Sequence, residues 1–232
     1  MSGNCRREDE TVPFGRYGIK RGMEMAGMFQ RGFSQDGSLV TVLYRLSDLF
    51  LLNILWIFFS LPIVTAGAST AALYTVTLKM RKNQESYIFR SFVKAFRKNF
   101  RQGTALWLIY VLAGGILFLN LYIAALGKLP VQAFFLTVYA IMTNIYLMVG
   151  SYLFPVMAKF DTTIRQILKI SLFLSLRHIG YTLMIILITA VPYLVVGAYL
   201  YLLPILFIIT ISGTAYISSG FFNKIFSKYI AG

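Results

Sequence analysis

The chain holds 232 residues, of which 58% are hydrophobic and 13% charged, about half the charged share of an ordinary soluble domain. Its 22 Lys and Arg outweigh eight Asp and Glu, for a net charge of +14. These figures exclude a disordered chain and point away from a soluble fold, while the single cysteine, Cys5, excludes an internal disulfide framework and a cysteine-cluster metal site.

Residues 1–38 contain seven glycines and mixed charges and read as a flexible cytoplasmic segment. They carry no short apolar core of a signal peptide, so the first span is expected to act as its own insertion signal. Residues 39–232 read as a single transmembrane domain. Because a charged side chain at mid-bilayer costs roughly 2.5–3.5 kcal/mol on insertion scales, charge-free intervals locate the spans. Four are long: Leu49 to Leu78, Gln102 to Gly127, Leu129 to Ala158 and Ile179 to Asn223. They yield expected spans near 43–63, 67–80, 103–126, 130–157, 179–200 and 203–222. The break inside the first interval rests on Pro62, which lacks an N–H, and on Gly67. This interval either crosses twice or forms a partly re-entrant hairpin.

Charge then orients the chain. Seven basic residues lie before the first charge-free interval, the last of them Arg45 at the entry to the first span, eight lie between Lys79 and Arg101, four between Lys159 and Arg177, and two near the C-terminus, leaving only Lys128 on the other side. The positive-inside rule places both termini in the cytoplasm.

Two segments read as interfacial amphipathic helices. In 86–101, Phe89, Phe92, Val93, Phe96 and Phe100 recur at helical spacing among Arg90, Lys94, Arg97, Lys98 and Arg101. In 161–177, Asp161, Thr162 and Thr163 offer an N-cap, and Ile164, Ile167, Leu168 and Leu172 an apolar face. The first segment is the candidate contact for anionic lipid or a protein partner. Basic loops of this kind follow from membrane topology, so no nucleic-acid partner is expected. A second candidate set comprises Asn53, Pro62, Thr65, Gly67, Ser69, Asn120 and Asn144. These residues either pack helices together or line a path for a neutral polar solute.

No span interior carries Asp, Glu, Lys or Arg, and the chain holds no phosphate-cradling glycine loop with Lys, no His-Glu zinc motif and no nucleophile elbow. A lone histidine, His178, cannot build an ordinary metal site. No catalytic residue, metal or cofactor is therefore expected, and the fold expected is an all-α bundle of about six spans, or five plus a re-entrant arm, with the two interfacial helices.

The stretch Leu46 to Tyr74, and above all the turn Leu61-Pro62-Ile63-Val64-Thr65-Ala66-Gly67-Ala68-Ser69, resembles the YesL-like family, a bacterial domain-of-unknown-function family of small polytopic membrane proteins. Phe92, Phe96, Asn99 and Phe100 resemble a second family signature, and Gly27 to Phe33 resembles the start of many members. The resemblance implies a bacterial plasma membrane and a place beside carbohydrate uptake, with a sugar ABC transporter permease as partner. It implies no catalytic or ligand-binding residue. The expected function is a non-enzymatic accessory or scaffold protein; the alternative is a facilitator or transporter subunit for a small neutral solute such as a sugar. The oligomeric state is not legible.

Overall fold

The computed structural model describes residues 38–84, 87–126, 132–198 and 203–230. Cys5, Lys128 and residues 1–37 of the expected flexible segment lie outside that range. Seven α-helices make up the described chain: α1 Ser38–Ser60, α2 Ala66–Met80, α3 Ile88–Leu126, α4 Gln132–Lys159, α5 Ile164–Arg177, α6 Ile179–Ala198 and α7 Leu203–Ile230, with a 3-10 turn at Ile63–Thr65. No strand occurs among the described residues, so the all-α expectation holds. The chain divides into two compact units, Met1–Ser47 and Asp48–Gly232. In the first, the opening turns of α1 include a bond from Ser47 Oγ to the Leu43 carbonyl at 2.7 Å. The core belongs to the second.

Local chemistry makes the hairpin between α1 and α2. Pro62 sits extended at φ −74°, ψ 107° and opens the 3-10 turn. Thr65 closes it, its Oγ1 within 2.7 Å of both the Phe59 and the Pro62 carbonyl oxygens. Trp56 Nε1 donates across the hairpin to Thr70 Oγ1 at 3.1 Å.

α2 is the centre of the packing. Gly67, Ala68, Ser69, Ala71 and Ala72 are all buried, and small residues of this kind let helix backbones approach closely. One side of α2 sends Ala71 and Leu78 into a cluster with Leu106, Tyr152, Met157 and Phe222. The other sends Ala72, Leu73, Val76 and Met80 into a cluster with Leu52, Leu55 and Phe92. The tightest approach is to α3. A Cβ added to Gly67 would strike the Gly103 carbonyl oxygen, and one added to Gly103 would stand 2.9 Å from the Ala68 Cα. Polar bonds fasten α2 to α7: Ser219 Oγ donates to Thr77 Oγ1 at 2.7 Å, and Asn223 Nδ2 to the Leu78 carbonyl at 3.2 Å.

α3 departs from the expected division into an interfacial helix and a span, because the two form one helix of 39 residues. No proline interrupts it, and Gly103, at the expected boundary, is held against α2 instead of breaking the helix. Trp107 Nε1 donates to the Ile63 carbonyl at 3.0 Å, so the tip of the hairpin meets α3 halfway along. From Trp107 to Leu126 the helix runs on for about 28 Å at 1.5 Å per residue, close to the hydrocarbon thickness of about 30 Å. This outer half and the start of α4 expose apolar side chains almost continuously, among them Leu112, Ile116, Phe118 and Phe134. In water that surface would far exceed the few hundred Å² usual for a monomer; in a bilayer it faces lipid.

Among the described residues, three helical segments are long and apolar enough to cross a membrane: Val40–Ser60, Ile88–Leu126 and Gln132–Lys159. A fourth would be α5 with the first part of α6, bent by 101° at a break beside His178, if that pair is one broken span. Among the described residues there are thus three or four candidate membrane spans, fewer than the six expected, in keeping with a helical membrane bundle. α2 has 15 residues, about 22 Å of helix, too short to cross alone. The expected span 179–200 ends in 199–200, which lie outside the described residues, and the expected span 203–222 falls within α7.

The Gly67–Gly103 approach makes a direct prediction. Gly103→Val should lower the melting temperature of the detergent-purified protein strongly, since overpacking costs about 1–3 kcal/mol. Gly115→Ala, where an added Cβ meets nothing within 4 Å, should leave it unchanged. The check is fluorescence-detected thermal unfolding of both variants beside the parent.

Candidate functional site: the basic half of α3

The inner half of α3, Ile88 to Arg101, carries the candidate contact residues, and the hairpin decides which of them face outward. Phe92 is fully buried, its ring 5.6 Å from that of Phe59. Phe96 is half-buried, 4.7 Å from Phe59 and 5.4 Å from Phe100. Of the aromatic stripe expected to meet lipid or a partner, Phe92 and part of Phe96 are therefore spent on the protein's own core. The physical reason is that α1 returns beside α3 and offers Phe59 to the same stripe, and an aromatic cluster inside the fold excludes water as well as a membrane surface would.

What remains exposed is a mixed edge. Phe89 and Phe100 are 59% and 41% exposed, and Arg90, Lys94, Arg97, Lys98 and Arg101 are all exposed. Arg90, Lys94, Arg97 and Arg101 follow one another at steps of four, three and four, so they form a single ridge about 16 Å long. Lys98 is engaged elsewhere. Its Nζ lies 2.7 Å from both carboxylate oxygens of Asp161, an exposed pair worth about 0–1 kcal/mol. Beside it Gln102 Nε2 donates to the Thr162 carbonyl at 2.5 Å. These contacts fix the start of α5 against α3. Asp161 leaves the capping to Thr163, which forms a capping box with Gln166.

The second candidate set is not gathered into one site. Asn53 is buried in α1. Asn120 Nδ2 donates to the Ile116 carbonyl at 2.7 Å and Asn144 Nδ2 to the Ala140 carbonyl at 3.1 Å, each within its own helix. Gly67 and Ser69 are buried at the packing face of α2, Thr65 closes the 3-10 turn, and Pro62 is exposed at its start. A cavity of about 190 Å³ between α3, α4 and α5 has a lining that is almost wholly apolar, with Leu106, Tyr110, Tyr146 and Leu153 among its residues. His178 meets the Tyr229 hydroxyl through Nε2 at 3.1 Å.

Sequence reasoning did not find the Lys98–Asp161 pair or the Trp107–Ile63 bond. Their partners lie 63 and 44 residues apart, and no periodic pattern within one helix signals them.

The division of the stripe is testable. Phe92→Ala should destabilise the protein by about 3–5 kcal/mol, as for a buried aromatic. Phe89→Ala should stay within about 0.5 kcal/mol, as for an exposed side chain. Equilibrium unfolding in mild detergent distinguishes the two, and equal losses would contradict the assignment.

Comparison with known proteins falls on the same region. A family model described as "Protein of unknown function, DUF624" matches residues 49–121, the hairpin and most of α3. The chain is 37% identical to "Uncharacterized protein YesL" of Bacillus subtilis (strain 168) over 137 residues, 57% of this chain and 64% of that protein. It is 29% identical to "Uncharacterized protein YteU" of the same organism over 145 residues, 59% of this chain and 63% of that one. The chain thus spans a little under two thirds of the length of either relative. No solved structure matches. The segment that builds the hairpin and the basic half of α3 matches the DUF624 model, and the chain is similar to the YesL-like proteins over that part of its length.

Proposed function

We propose that the protein is a non-enzymatic accessory or scaffold subunit of a bacterial plasma membrane, multi-pass with both termini cytoplasmic. In this reading α1, long enough to cross on its own, instead pairs with the short α2 in a re-entrant hairpin whose two ends face the cytoplasm, and the basic ridge of α3 is the working surface. Arg90, Lys94, Arg97 and Arg101, flanked by Phe89 and Phe100, hold anionic headgroups at about 1 kcal/mol per cation and dock a membrane partner. The carbohydrate setting, with a sugar ABC permease as that partner, comes from the family resemblance alone.

The observation that carries the reading is the continuity of α3. One unbroken helix joins an exposed apolar half, about as long as the hydrocarbon is thick, to an exposed cationic ridge. The ridge is held rigidly where headgroups begin, without the entropy cost of ordering a loop. The facilitator reading has less to stand on, because the amides of Asn120 and Asn144 are bonded within their own helices.

The test is copurification from native membranes in mild detergent, read by mass spectrometry against an unrelated membrane protein of similar size. The parent should enrich a sugar permease specifically. Arg90→Gln, Lys94→Gln, Arg97→Gln and Arg101→Gln combined should reduce that enrichment at least fivefold while the protein remains folded. Unchanged capture would remove the ridge from the docking surface, and no permease in the parent sample would remove the carbohydrate setting.

A further inference from the structure

A second basic site, separate from the α3 ridge, lies where the ends of α2 and α4 meet α7. Thr75, Lys79, Lys82, Gln84, Lys159 and Asn223 are among the residues around a cavity of about 230 Å³. That is below the roughly 300–1,000 Å³ of pockets for drug-sized molecules and suits a small anionic group. No Asp or Glu is among the described residues that line it. The described residues hold two carboxylates in all, Asp48 and Asp161, and Asp161 is engaged by Lys98.

The backbone holds these lysines in place. At the end of α2 the Asn83 N–H donates to the Met80 carbonyl at 3.1 Å and the Gln84 N–H to the Lys79 carbonyl at 3.2 Å. Asn83 takes φ 53°, the left-handed conformation that asparagine tolerates. This is the Schellman arrangement, and it fixes Lys82 and Gln84 at the rim. Lys159 ends α4, and Asn223 is tied to α2 through the Leu78 carbonyl.

A lysine in the last turn of a helix is explained by the carbonyl end of the helix dipole, and that accounts for Lys79 on α2 and Lys159 on α4. It does not account for Lys82, two residues beyond the end of α2, lining the same small cavity as Lys159 from a different helix, which sets two cations together. Both are long, flexible side chains that could swing into water instead. A shared anion removes the repulsion. We propose that Lys82 and Lys159, with Lys79, Gln84 and Asn223 at the margin, hold a phosphate group between α2, α4 and α7. Phosphate offers several strong acceptor oxygens to converging ammonium and amide donors. Its favoured source is the headgroup of an anionic phospholipid, because basic pockets between membrane helices on the cytoplasmic side take such headgroups. The other source of the same chemistry is a soluble phosphate.

The experiment uses the full chain purified without phosphate. Native mass spectrometry reads retention of phosphatidylglycerol against phosphatidylcholine, and thermal shift reads inorganic phosphate against sodium chloride of equal ionic strength. The parent should retain phosphatidylglycerol preferentially, and Lys82→Gln with Lys159→Gln should weaken that retention at least tenfold. Lys82→Arg with Lys159→Arg should keep it within about threefold, which separates loss of charge from loss of fold. Arg90→Gln with Arg97→Gln should remove only the lipid held by the α3 ridge and leave intact the part of the retention that depends on Lys82 and Lys159, so failure of the ridge and failure of this site are told apart. A phosphate-dependent thermal shift that vanishes in the double Gln variant, without any lipid preference, would assign the site to soluble phosphate. If the double Gln variant changes neither readout by as much as twofold, the proposal is overturned.

Discussion

The packing depends on one close approach, that of the α2 backbone to the α3 backbone at Gly67 and Gly103. At that point neither helix has room for a side chain. The approach lets Ala68, Ala71 and Ala72 lie fully buried and lets a helix of only 15 residues touch both core clusters. Dispersion between closely packed backbones is a principal source of helix association in lipid, where apolar burial against neighbours brings little gain. A bulkier residue at Gly67 or Gly103 would separate α2 from α3 and pull the Trp107–Ile63 bond apart.

Several features follow from that contact. With the hairpin anchored at the middle of α3, the helix is divided into an inner half wrapped by the protein and an outer half bare to lipid. On the inner half, Phe59 reaches Phe92 and Phe96, so the apolar side of the amphipathic segment turns inward and its cations turn out. On the outer half, α3 and α4 share contacts suited to a membrane interior: Tyr146 donates its hydroxyl to the Tyr110 carbonyl at 2.9 Å, and the two rings stack at 4.3 Å. Elsewhere polar pairs are buried between helices, as with the Tyr152 and Thr182 hydroxyls at 3.0 Å. Such pairs satisfy groups that lipid cannot hydrate.

Much of the architecture was legible in the sequence because its signals are local. Charge-free intervals marked α1, α3 and α4, Pro62 marked the turn, and the small residues from Gly67 to Ala72 marked a packing face. The candidate site was legible only in part. Helical periodicity identified the stripe Phe89, Phe92, Phe96 and Phe100, but periodicity cannot say whether an apolar face meets lipid or another helix. Phe59, 33 residues before Phe92, takes up Phe92 and Phe96 and leaves Phe89 and Phe100 exposed. The expected boundary at 101–103 failed for a related reason. Gly103, at that boundary, is a contact surface against α2 within one continuous helix. Lys82 and Lys159 lie 77 residues apart, and nothing in either neighbourhood signals that they meet.

Everything above depends on where α3 changes environment. Single cysteines placed along it, Arg97→Cys, Phe100→Cys, Leu112→Cys and Leu119→Cys in a Cys5→Ser background, can be probed in inverted and right-side-out vesicles with a membrane-impermeant thiol reagent. The account predicts labelling at 97 and 100 from the cytoplasmic face only, and none at 112 and 119 from either face. Ready labelling at 112 and 119, or protection of 97 and 100 from both faces, would contradict it.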